Sequence, residues 1–213
     1  MLPTGNVSLF PISNIYDMTT ERNREATEKR LLDTVSEMIA ENGFETIGVN
    51  AVANKSGVSK ILIYRYFGSI EGLLAAYLHQ NDFWINYPKT ISQKEDLPEF
   101  VKTMFHGQLR KLRENPALRK LYRWELSSSN AIIINLRKQR ETAGIDLINE
   151  VSRVSGRKKE DIASVATMIS ASIAYLMMFS DVCPEYNGLR LDEDKGWQSI
   201  ENGMDELIDK FFS

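Results

Sequence analysis

Cysteine occurs once in these 213 residues, at Cys183, and histidine only twice, at His79 and His106. A lone thiol cannot close an intrachain disulfide or build a multi-cysteine zinc site. Neither histidine belongs to an HExxH pair or a histidine cluster, and Cys183 is followed by proline with no histidine nearby. No glycine-rich phosphate loop appears. With these side chains missing, we expect no enzyme, no metal and no cofactor. Long apolar runs are missing too. The richest stretch, Ile162 to Phe179, is interrupted by Ser164, Thr167, Ser170 and Ser172, short of the ~18 apolar residues of a membrane span. The N-terminus lacks the charged-then-apolar order of a signal peptide, so a cytoplasmic protein without a membrane partner is expected. Bulk positive charge is absent as well: the net charge is −3. Affinity for any polyanion must therefore come from a local patch.

What remains is an ordinary globular composition, 43% hydrophobic and 26% charged. Strand-type alternation is nowhere sustained and helical spacing recurs throughout, so the fold class is all-α. The chain is organised around Val49 to Phe67 (VNAVANKSGVSKILIYRYF), which reads as two short helices with a tight turn. Val49, Val52 and Ala53 form one apolar stripe. Gly57 can take the positive φ that a sharp corner needs, and Ser59 can cap the second helix. Val58, Ile63 and Phe67 continue the buried face. The leftover face carries Lys60, Ile61, Leu62, Tyr64, Arg65 and Tyr66: cations and hydroxyls for phosphates, apolar tips for thymine methyls. Asn50 and Lys55 on the first helix join this candidate DNA-binding set. The same spacing also suits a helical hairpin that simply packs on its neighbours. Charge favours the groove reading, because no acid lies between Glu45 and Glu71 while Lys55, Lys60 and Arg65 do. The acids of residues 19–72 concentrate instead in the first helix, which must turn them away from a duplex.

These residues carry a family resemblance. Gly43-Phe44, Val49-x-x-Val52-Ala53, Ser56-Gly57-Val58-Ser59, Tyr64-x-Tyr66-Phe67 and Gly72-Leu73-Leu74 together resemble the N-terminal domain of TetR-family transcriptional regulators. The match covers roughly residues 25–75. It departs from the family at Gly48, where a threonine or serine is common, at Ile61 and Leu62, and at Ile70. The resemblance implies a two-fold homodimer, an operator in double-stranded DNA and a small-molecule effector bound in the C-terminal part.

In chain order, residues 1–18 read as an N-terminal arm and 19–68 as a helix-turn-helix domain, its first helix starting at Thr19 or Thr20 and ending at Asn42-Gly43. Residues 69–213 read as a helical effector-binding and dimerisation domain, with 69–85 as a connecting helix to about Trp84 and a linker at 86–98. Asn115-Pro116 marks a restart, Tyr186-Asn187-Gly188 a loop, and Asp192 the cap of the last helix. Adaptable side chains of the middle helices, Met104, Phe105, Trp124, Met168, Tyr175 and Phe179, are the candidates for a hydrophobic effector pocket. His106, Glu125 and Asp181 are the candidates for orienting a ligand. Ala166, Ser170 and Ala171, with Trp197, Ile200, Met204 and Leu207 at three- and four-residue spacing, are candidates for the dimer interface. The expectation is a DNA-binding regulator, a repressor released by its effector; the alternative is a helical protein-interaction adaptor with a degenerate motif.

Overall fold

Leu31, Val35, Met38 and Ile39 recur at helical spacing on α1 (Ser13–Asn42) and are almost wholly withdrawn from water. The computed structural model describes residues 13–87, 91 and 96–213. Residues 1–12 of the expected arm, and 88–90 and 92–95 of the expected linker, lie outside that range; residues 13–18 belong to α1. The α1 stripe meets Val52 and Ala53 of α2 (Val49–Ser56), Val58 of the turn and Ile63 of α3 (Lys60–Phe67). Each of these valines and isoleucines contributes about 1.5–3 kcal/mol on burial. Gly57 sits at φ 67° between the two short helices, a left-handed conformation that a Cβ would disfavour. The Ser59 hydroxyl accepts from Ile61 N and starts α3 in register.

Ser69 caps α4 (Ile70–Asn81), accepting from Gly72 N at 3.0 Å. Gly72 packs so closely behind the end of α3 that a Cβ there would lie 1.9 Å from the Phe67 carbonyl oxygen. The helix stops short of Trp84. Asp82 adopts an extended conformation and its carboxylate accepts from Ile85 N, opening a separate single-turn helix, α5 (Phe83–Asn86). An aspartate that can bond the backbone ahead of it competes with helix continuation.

The larger domain is built on α6 (Leu97–Glu114), which packs against α7 (Pro116–Ser127), α8 (Ala131–Ser155), α9 (Lys159–Ser180) and α10 (Asp194–Phe212). Pro98 sits in the first turn of α6, where its missing N–H costs nothing. Asn115 accepts from Leu118 N and restarts the chain as α7, as its Asn-Pro pair predicts. Between α9 and α10 the expected loop is a hairpin, β1 (Glu185–Tyr186) against β2 (Leu189–Arg190). Asn187 and Gly188 both have positive φ, the requirement of a tight two-residue turn. Asp192 does not cap α10; its carboxylate is taken by Arg190 at 2.5 and 2.8 Å.

Two contacts of α7 join the halves. Lys120 Nζ donates to the Ala40 and Glu41 carbonyls in the last turn of α1, at 2.5 and 3.2 Å. Trp124 lies parallel to Phe44, of the 3-10 turn Phe44–Thr46, with centroids 4.7 Å apart.

Candidate nucleic-acid interface and ligand cavity

The register set by Ser59 buries Ile63 and turns the opposite face of α3 outward. Ile61 is 68% exposed and Tyr64 52% exposed. Lys60 and Arg65 are exposed, with no ion pair among the described residues. Leu62 and Tyr66 are half-buried at the flanks, and the Arg24 guanidinium lies 5.3 Å from the Tyr66 ring centre. Asn50 is exposed at the start of α2. Lys55 is placed differently from the expectation. Its ammonium is held by both Glu41 oxygens at 2.6 and 2.7 Å, with Glu37 at 3.7 Å, and that pairing raises its pKa. An ammonium so engaged on α1 is not presented to a phosphate.

The acids of α1 are handled the same way. Glu28 takes Arg24 at 2.7 Å and Asp33 takes Lys29 at 2.6 Å, each one helical turn away. Such exposed pairs add little stability. Lys60 and Arg65 of α3 take no part in such pairs among the described residues.

A cavity of about 890 Å³ opens within the larger domain. Its walls are Met104 and Phe105 of α6, Ile145 and Ile148 of α8, Ile162, Val165 and Ile169 of α9, and Ile208 and Phe211 of α10, with Trp84 beside them. One end is polar, lined by Tyr122, Glu125, Arg137 and Arg140. There Arg140 Nε donates to Asp82 Oδ2, and Arg140 Nη1 to Glu125 Oε2 at 2.5 Å. Asp82 is only 1% exposed at its side chain. Burial works against the charge of Arg140, but Tyr122, Asp82 and Glu125 outweigh it and hold its proton more firmly than usual. Burial also pushes the Tyr122 phenol up.

Residues 31–77 match the model of the bacterial regulatory proteins, tetR family. These are the residues that form the core of α1, the two-helix reading unit and α4. Residues 31–77 carry the signature of that family. It is similar to an uncharacterized HTH-type transcriptional regulator of Mycobacterium tuberculosis, 30% identical over 108 residues, which are 48% of this chain and 52% of the relative. The chain thus spans about half the length of the curated relatives it matches. In fold it is similar to a TetR family transcription regulator from Marinobacter aquaeolei VT8, with a TM-score of 0.62 at 18% identity, over 87% of this chain and 97% of that one. A HlyIIR mutant protein superposes with a TM-score of 0.59 at 14% identity, over 77% and 93%.

Within this TetR-family fold, only part of the expected effector set lines the cavity. Met104 and Phe105 do. Trp124 is spent on Phe44 at the domain junction. Met168 is 62% exposed, and Tyr175 stacks with Phe179 on the outside of α9, both edge-on to Tyr186. Periodicity alone cannot say which stripe of an apolar helix faces inward, and here the expectation took the wrong stripe. Of the ligand-orienting candidates, Glu125 is in the wall. His106 pairs with Asp205 at 2.8 Å, and Asp181 joins Arg119 and Arg123. Arg140 was missed because its partners are 58 and 15 positions away in sequence.

The expected association residues divide likewise. Trp197 and Met204 are buried within the chain, the Trp197 indole donating to the Leu191 carbonyl at 2.7 Å, so neither is open to a second copy. Ser170 accepts from Gln108 Nε2 and, with Ala166 and Ala171, lines the cavity. Ile200 is half-buried against the core. Ala171 and Leu207 are exposed, and Met168 and Tyr175 extend the Ala171 stripe at three- and four-residue spacing. By length and composition α9 is also long and apolar enough to cross a membrane, contrary to the expectation. Its Ile162, Ile169, Ile173 and Met177 face the core.

Proposed function

We propose that this chain is a DNA-binding transcriptional regulator, a repressor acting as a homodimer in the cytoplasm and released from its operator by a small, largely hydrophobic effector. The observation that carries the reading is the outward face of α3, where Lys60 and Arg65 stand free of ion pairs among the described residues, beside exposed Ile61 and Tyr64. Free cations position such a helix on phosphates, and apolar tips read base edges. The exposed stripe of α9 with Leu207 supports association of two copies, which would set two reading helices about one duplex turn, or a small multiple, apart. The cavity supports an effector: its volume falls within the range of small-molecule sites, and most of its wall is apolar. An anisotropy titration of the full chain against the DNA upstream of its own gene tests the reading. Sequence-specific binding that weakens as salt rises is the expected result. Equal affinity for that DNA and for scrambled duplex at every salt concentration would refute it.

A further inference from the structure

The cavity is not closed on itself. Thr167 and Ala171 of α9, with Glu141 and Ile145 of α8, belong to its wall and are also exposed to solvent. The mouth they frame adjoins the outer stripe of α9. Met168 follows Thr167 directly, and Tyr175 stands one helical turn beyond Ala171. Small-molecule sites withdraw most of their ligand from water. An apolar guest held in this chain alone would leave one side wet.

What covers the mouth is indicated by α9 itself. From Ile162 to Ser180 the chain has no charged residue, although Met168 is 62% exposed and Tyr175 49%. A helix face that stays in water ordinarily carries charge, and a neutral face offers a polyanion nothing to hold. The side chains fit a second copy of themselves. A two-fold axis passing between exposed Ala171 and Ser172 lets two such helices approach closely at small residues. It sets Met168 against Tyr175 of the partner subunit, and small, exposed Ser164 against the partner's Phe179. Each ring then meets a smaller or a more adaptable side chain. The same pairing lays the partner's Tyr175 over Thr167 and Ala171, the α9 side of the mouth. Tyr175 is already held for that contact, stacked on Phe179 at 5.6 Å and edge-on to Tyr186 at 6.0 Å. Little side-chain freedom remains for it to lose.

We propose that the cavity is shared between two copies: Tyr175 of the partner subunit closes its mouth, and an uncharged apolar guest is fully enclosed only in the dimer. This rests on the two-copy part of the reading above and is independent of DNA binding.

Prodan, an uncharged naphthyl ketone whose emission moves to the blue in apolar surroundings, is the probe. The full chain is titrated with it above and below the concentration at which sedimentation shows dimers forming. Dimers are expected to bind Prodan about tenfold more tightly than monomers, obtained by dilution or by Met168→Asp, because the partner's ring removes further apolar surface from water. By reciprocity, saturating Prodan is expected to lower the concentration at which copies pair. Tyr175 is absent from the cavity wall of its own chain. Tyr175→Ala is therefore expected to cost about tenfold in dimers and nothing on the Met168→Asp background. Should either variant fail to fold or to pair, the dilution series on the wild-type chain decides alone. Equal Prodan affinity in monomer and dimer, an equal loss from Tyr175→Ala on both backgrounds, or no Prodan binding overturns the shared cavity and leaves the regulator reading standing. A chain that stays monomeric at every concentration defeats the two-copy reading and the shared cavity with it.

Discussion

Lys60 and Lys55 are five positions apart and have opposite fates. Lys55 is absorbed by Glu41 and Glu37, while Lys60 meets no acid among the described residues. Replacing Lys60 by alanine should weaken binding to every duplex and reduce the slope of log affinity against log salt by about 1, because one phosphate neutraliser is removed. Anisotropy at several salt concentrations checks it; an unchanged slope contradicts the assignment. Ile61→Ala should act otherwise, changing preference at one base position by about 1 kcal/mol and leaving nonspecific affinity nearly constant. A competition series of single-base variants of the site reads that difference. The outward face of α3 was legible in the sequence because Ser59, Ile63 and Phe67 fix the register. Lys55 was not, since its partners come from α1, and packing between helices is not written in local spacing.

At the scale of elements, the helices and their stops follow from caps and glycines: Ser59, Asn115 and Gly57 all stand where the pattern placed them. The break at Asp82 escaped because its cause is shared between a local Asp-to-backbone bond and a distant arginine. Two substitutions probe how elements hold together. Gly72→Ala forces a methyl against the Phe67 carbonyl and should destabilise the chain by about 1–3 kcal/mol in urea unfolding. Trp124→Ala removes the ring stacked on Phe44 and should cost about 2 kcal/mol. Hydrogen exchange would show that loss concentrated in the last turn of α1, whose carbonyls Lys120 also holds. Exchange unchanged there would mean that α7 does not brace the reading domain.

For the molecule as a whole, the all-α class and the division into a small reading domain and a larger helical one were readable from periodicity and from the motif. The inward and outward stripes of α9 were not. Its composition is apolar nearly all round, so only the packing of Ile162, Ile169, Ile173 and Met177 shows that Met168 and Tyr175 are left outside. If that outer stripe joins two copies, Met168→Asp places a charge in the contact and should yield a monomer by light scattering, with operator affinity reduced because two linked heads become one. A dimer that survives Met168→Asp unchanged would move the interface elsewhere.

The parallel stack of Trp124 on Phe44 has a practical consequence. The three tryptophans occupy three separate stations: Trp84 in the cavity wall, Trp124 at the junction, and Trp197 bonded to the Leu191 carbonyl beside the hairpin. Chains retaining one indole each would therefore carry a built-in optical gauge, in which emission from Trp84 times the arrival of a guest and emission from Trp124 times the parting of the two halves.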